Sequence, residues 1–218
     1  MSTKLPRWIE YGAFILAFSA GCINVIGLLG VEHQSISHLS GTATLVGSAI
    51  FNQHPALFHL LVILLSFLAG AAISGLFLSG RSINAGRHYD SLLVIEGLLL
   101  LAAMFLMQNN SLIGHYLASC ACGIQNALAT RYSGAIVRTT HVTGIFTDLG
   151  IMLGARVRGE TIDNRKMILF MLIILGFISG GAAGAMLFNH YGFIAFSAPI
   201  AICFTLALSY RLLVKNKH

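Results

Sequence analysis

Four stretches of this chain, Tyr11 to Val31, Pro55 to Gly80, Gly97 to Thr130 and Met167 to Tyr210, contain no Asp, Glu, Lys or Arg. A soluble domain carries roughly 25% charged residues, whereas this chain carries 9%, with 56% hydrophobic residues. A helix that crosses a bilayer needs roughly 20 apolar residues. The first two runs therefore suit one crossing each, and the last two suit two. Polar turns divide the long runs at Asn109-Asn110-Ser111 and at Asn189-His190-Tyr191-Gly192. The expected fold is an all-α integral membrane protein. Its six spanning helices are predicted at about Trp8–Leu29, Ala56–Leu78, Ser91–Met107, Leu112–Ala129, Met167–Leu187 and Phe193–Leu213.

Two further segments, Val31–His54 and Tyr132–Ala155, are less apolar, and basic residues decide whether they cross. If neither crosses, all 13 Lys and Arg residues share one face with both termini. If both cross, Arg81, Arg87, Arg131 and Arg138 move to the face opposite the N-terminus. The positive-inside rule selects six spans and makes the basic face cytoplasmic. Trp8 and the six tyrosines fall near predicted span ends, where amphipathic rings prefer the interface. The net charge of +6 is thereby explained by topology, and no nucleic-acid partner is expected. Lys4 and Arg7 ahead of an apolar stretch imitate a signal peptide, but Gly21 has a counterpart deep in the chain, so this stretch is read as a retained first span.

The two uncrossed segments carry one motif twice. His38-Leu39-Ser40-Gly41-Thr42-Ala43-Thr44-Leu45-Val46-Gly47 returns as His141-Val142-Thr143-Gly144-Ile145-Phe146-Thr147-Asp148-Leu149-Gly150. Upstream, Gly21-Cys22-Ile23-Asn24 matches Gly123-Ile124-Gln125-Asn126, and downstream Phe67 and Gly70 match Phe177 and Gly180. The chain is read as one membrane domain over 1–218, with internal repeats at about 8–108 and 111–213. Three spans per repeat is an odd number, so the second repeat runs through the membrane inverted relative to the first. Each repeat then has a re-entrant half-helix hairpin, the first entering from outside and the second from the cytoplasm.

Ser40 and Thr143 are placed as N-caps of those half-helices. Half-helices that begin near the midplane aim positive dipole ends and free N–H groups at a common place. The candidate binding set is His38, Ser40, Gly41, Thr44, Arg138, His141, Thr143, Gly144 and Thr147, and its charge favours a small anion or carboxylate. Small residues at this spacing also serve close helix packing, which is the competing explanation. Glu96, two turns into the third span, and Asp148, which replaces Leu45 in the repeat, are intramembrane acids that could carry a coupling proton. Asn24 and Asn126 are matched amides suited to interhelical hydrogen bonds. His59, His115 and His190 lie near interfaces and are given no role. Cys22, Cys120, Cys122 and Cys203 fall in apolar segments without zinc spacing, so they read as packing residues with no metal or cofactor.

These same stretches resemble the YoaK-like family of bacterial membrane proteins over essentially the whole chain. The likeness is most specific at Ser40-Gly41-Thr42-Ala43-Thr44, where the family shows Thr-Gly-Asn-Thr. It is also specific from Gly123-Ile124-Gln125-Asn126-Ala127 through Arg138-Thr139-Thr140-His141-Val142-Thr143-Gly144. This sequence has no Asn after Gly41, and it has Asn24 where the family often has Asp. If that Asp handles protons in relatives, the coupling is altered here. The resemblance implies a multi-pass protein of the bacterial inner membrane, from an uncharacterised family without an established substrate.

The functional expectation is a small-solute transporter or channel with its site between the half-helices, embedded in lipid and free to form a homo-oligomer. The alternative is a non-transporting membrane sensor or scaffold. An enzyme is not expected: there is no nucleophile–base pair at helical spacing, no phosphate loop and no paired-His zinc motif.

Overall fold

The computed structural model describes residues 7–30, 33–78, 88–132 and 138–215. Lys4, Arg81, Arg87 and Lys217, which belong to the charge argument, lie outside them. The described residues are helical, with no strand: α1 (Arg7–Leu29), α2 (Leu39–Phe51), α3 (Leu57–Phe77), α4 (Tyr89–Gln108), α5 (Ile113–Tyr132), α6 (Val142–Val157), α7 (Asn164–Tyr191), a 3₁₀ turn over Gly192–Phe196, and α8 (Ser197–Lys215). Both turn signals fall where the sequence places them. Asn110 takes φ 55°, which Asn tolerates better than most side chains, and Gly192 takes φ 59°. Asp163 caps α7 by accepting hydrogen bonds from the Arg165 and Lys166 amides at 3.0 and 3.2 Å.

Four helical stretches are long and apolar enough to cross a bilayer: Ile9–Leu29, Leu57–Phe77, Tyr89–Gln108 and Asn164–Leu212. The last of these contains α7, the 3₁₀ turn and α8. On α3 the side chains of Phe58, Leu61, Leu65, Leu68 and Leu76 face outward, an apolar surface suited to lipid rather than water. α5 is not among the four. Its Gly114, His115, Ser119, Gly123 and Gln125 are buried in the protein interior, so it needs no lipid-compatible surface on that face, and its composition is correspondingly more polar.

Helix pairing follows from glycine. α1 packs along α7 and α3 along α5. Gly21 lies against the Phe177 carbonyl and Gly180 against the Phe18 carbonyl, so closely that a Cβ on either would collide with backbone. In the other pair Gly123 lies against the Phe67 carbonyl and Gly70 against the Cys120 carbonyl in the same way. Small residues let membrane helices approach to backbone contact, where dispersion contacts are densest. Both pairs run parallel. Glu10 meets Arg165 at 2.7 Å and Gly184 meets Cys22; Tyr116 meets His59 and Gly123 meets Phe67. α4 runs antiparallel to α8, with Tyr89 beside Tyr210 and Gly97 under the Phe204 ring. It also turns back on α5, where Gly114 meets Met107.

This pairing gathers the beginnings of α1, α4 and α7 with the ends of α5 and α8. Arg131, Arg165, Lys166 and Arg211 stand at that end. At the opposite end, where α1, α4 and α7 finish and α3, α5 and α8 start, the described residues include no Lys or Arg. Among the described residues the basic side chains named here thus gather at one end of the bundle.

Candidate functional site

The two motif copies take the same local form. His38 and His141 are the N-cap residues of α2 and α6, with φ −89° and ψ 68° in one and φ −90° and ψ 51° in the other. This corrects the expectation that Ser40 and Thr143 cap these helices. Each helix starts earlier, and each His ring folds back over the glycine three residues on, Gly41 or Gly144, where a Cβ would collide with the imidazole. Thr44 donates its hydroxyl to the Ser40 carbonyl at 2.9 Å, and Thr147 donates to the Thr143 carbonyl at 3.0 Å. Both hydroxyls are therefore spent on their own helices rather than offered as donors to a solute.

Among the described residues the two copies pack on different helices. α2 packs on α3 and α6 on α7. The segment entering α2 is tied to the last two turns of α1, where Asn24 Oδ1 accepts the Ser37 amide and hydroxyl, each at 3.0 Å. On α6, Ile145 and Leu149 belong instead to the cluster built on Ile9, Ala13, Leu169 and Phe170. Ala13 and Asn24 are separated by about 16 Å along α1, at about 1.5 Å per residue. His38, Arg138 and His141 are all exposed, and they are divided between the two ends of the bundle. The positive charge that favoured an anion thus has no common focus. Asp148 is exposed as well. Asn126 has its side-chain oxygen buried without a hydrogen bond among the described residues, unlike its counterpart Asn24.

What the fold does assemble lies at the crossing of α4 and α8. Glu96 is fully buried, and Gln125 of α5 is equally buried. The Gln125 amide and the Cys203 thiol of α8 lie beside the carboxyl, and Cys122 is a further neighbour. Neither oxygen of Glu96 and neither polar atom of Gln125 makes a well-formed hydrogen bond among the described residues. An acid in this position is costly unless paired, and marks function more often than structure. Sequence reasoning found Glu96 but missed Gln125, although the latter sits inside the matched Gly-Ile-Gln-Asn stretch.

A second polar group was also missed. His59 of α3 and Tyr116 of α5 share a hydrogen bond of 3.0 Å between Nδ1 and the phenol oxygen. The His115 ring stands edge-on to His59, with centroids 5.7 Å apart. All three lie at the end without Lys or Arg. Their association depends on the parallel pairing of α3 and α5, which the spacing of the histidines does not reveal.

On the basic side of Glu96 a cleft of about 270 Å³ opens between α1, α4, α5 and α8. It is walled by Ile9, Ala13, Leu16, Leu93, Leu128 and Leu206, with Tyr89 and Tyr210 beside it. The two tyrosine rings are 5.7 Å apart, and Asp90 and Arg211 pair at 3.4 Å next to them. No group of three or more His, Cys, Asp or Glu residues among the described ones is arranged to hold a metal.

No curated protein and no solved structure matches this chain. A protein family does match, over residues 12–209, and its description is "Protein of unknown function (DUF1275)". That match spans the apolar helices and the buried centre alike, and the chain belongs to this family.

Proposed function

We propose that the chain is a small-solute transporter of the bacterial inner membrane, with six spans in two inverted repeats and both termini cytoplasmic. The observation that carries this reading is the pair of mirrored interfaces. Gly21 on Phe177 and Gly180 on Phe18 recur as Gly123 on Phe67 and Gly70 on Cys120. In each pair the first long helix of one half packs on the second long helix of the other. Inverted repeats of this kind place a central site near the midplane and expose it by rocking one part against the other. Here the centre holds Glu96 and Gln125, so Glu96 is the residue that carries a coupling proton. α2 and α6 stand at opposite ends, where their movement would govern access rather than form one pocket. The motif-level resemblance to YoaK-like proteins agrees with this reading and adds no substrate.

The test is flux through vesicles containing the purified protein and an internal pH dye, challenged with a panel of small amines and small carboxylic acids. The proposal expects at least one solute to change the internal pH faster than in empty vesicles, and expects Glu96→Gln to abolish that change. If none of them does so for correctly folded protein, the sensor or scaffold reading takes its place.

A further inference from the structure

Three helices line the cleft with a leucine each, and each leucine sits three residues from a member of the buried polar group. Leu93 precedes Glu96 on α4, Leu128 follows Gln125 on α5, and Leu206 follows Cys203 on α8. Three residues correspond to about 4.5 Å of helix, and on all three helices the step from leucine to polar side chain points away from the basic end. The cleft therefore leads toward the carboxyl, with one layer of leucine between. Its walls are apolar, and a dry apolar cavity of this size favours an apolar occupant over water. The ionisable groups packed around Glu96 are the thiols of Cys122 and Cys203, with the neutral amide of Gln125. No Lys, Arg or His is among these neighbours, while His59 and His115 lie toward the far end of α3 and α5. Charge complementarity toward the carboxyl thus favours a cation at the inner side of the cleft, while Tyr89 and Tyr210 line its outer side, with Arg131 near Tyr89 and the Asp90–Arg211 pair next to them.

We propose that the cleft binds a small lipophilic organic cation, an ammonium carried on an aromatic or short alkyl body, in exchange for the proton on Glu96. This rests on the transport reading for its purpose but not for its test. The apolar body fills the space between Leu16, Leu93, Leu128 and Leu206. The ammonium turns toward the trio, close enough for a low-dielectric interior to make its field strong. A carboxyl in such surroundings holds its proton until a cation arrives. The Glu96 O–H bond then breaks, its electron pair stays on the carboxylate, and the proton is released to water. No other bond changes.

The experiment uses the full chain in detergent micelles, titrated with benzyltrimethylammonium in weakly buffered solution, with binding heat and released protons read together. The uncharged analogue neopentylbenzene serves as control. The expected result is saturable binding of the cation, about one proton released per cation, and weak binding of the control. Glu96→Gln should keep the thermal midpoint of the parent, weaken cation binding about tenfold or more, a loss of about 1.4 kcal/mol or more, and release no proton. Leu93→Phe, which fills the cleft without touching the carboxyl, should remove binding while the fold persists. Unchanged binding in folded Glu96→Gln would overturn the proposal and leave the cleft as a seat for an acyl chain. Absence of saturable binding to the folded parent would overturn it too. A protein that binds and releases the proton but moves no solute through vesicles would refute transport and leave this site standing. One that transports a panel solute but does not bind the cation would do the reverse.

Discussion

Replacing Gly70 or Gly180 by Ala tests the packing on which the architecture stands. A Cβ on Gly70 would meet the carbonyl oxygen, carbonyl carbon and Cα of Cys120, and one on Gly180 would meet the same three atoms of Phe18. All six are backbone atoms, so no side-chain rotation relieves the collision, and the helices must separate. Overpacking of this kind costs about 1–3 kcal/mol, and the better helix propensity of Ala returns at most about 1 kcal/mol. With the added Cβ this close to backbone the cost falls in the upper part of that range, about 2–3 kcal/mol. Each substitution should then destabilise by about 1–2 kcal/mol, or roughly 2–8 °C in the thermal midpoint for a chain of this size. The two sites lie in different helix pairs, so the double variant should show the sum to within about 0.5 kcal/mol. Gly75→Ala and Gly154→Ala are the controls. Neither has a neighbour within 4 Å of the added Cβ, so the midpoint should hold or rise. The assay is thermal unfolding of the purified protein in one detergent. If Gly70→Ala or Gly180→Ala leaves the midpoint unchanged, the close approach is not real. If one is sensitive and the other silent, the mirrored relation between the two pairs fails.

The remaining predictions concern single contacts. Asn24→Ala removes the acceptor of the Ser37 amide and hydroxyl and should cost about 1–3 kcal/mol at roughly 0.5–1.5 per hydrogen bond, seen as faster amide exchange at Ser37 and a lower midpoint. Asn126→Ala should cost less, since the Asn126 oxygen makes no bond among the described residues. Asp163→Ala deprives the start of α7 of its cap and should destabilise by about 0.5–2 kcal/mol, read from the thermal midpoint. Thr44→Val and Thr147→Val replace hydroxyls already bonded within their own helices. Both variants should keep solute flux near the parent's, and loss of flux in both would restore the motif helices as the binding site.

Much of this arrangement is legible in the sequence because membrane helices announce themselves by what they lack. The charge-free runs locate α1, α3, α7 and α8 within a few residues and the second half of α4, and the turns at Asn110 and Gly192 follow from residues that tolerate positive φ. α5 is legible only as the second half of a long run, since burial against α3 and α4 frees it from the need to be apolar. The repeated glycines point to close contacts but not to partners. Gly21 pairs with the Phe177 stretch of the other half, an exchange between repeats that local spacing does not encode. Ser40 and Thr143 were misplaced as caps because the usual preference for a hydroxyl at that position gave way to an imidazole packed over glycine. The expected pocket between the motif copies requires both half-helices to begin near the midplane. Val31–Leu39 is long enough to reach the midplane, but the bonds to Asn24 hold Ser37 near one end. Glu96 stood out as a lone intramembrane acid, whereas Gln125 and Cys203 became its neighbours only when α4, α5 and α8 were packed together.

The central claim is that the two motif hairpins open to opposite faces of one membrane. It is tested most directly by cysteine accessibility in a background lacking Cys22, Cys120, Cys122 and Cys203. Asn52, in the turn after α2, and Thr161, between α6 and α7, are both exposed. With a membrane-impermeant maleimide, Asn52→Cys should label in intact spheroplasts and Thr161→Cys only after the membrane is opened. Labelling of both from the same face would contradict the account.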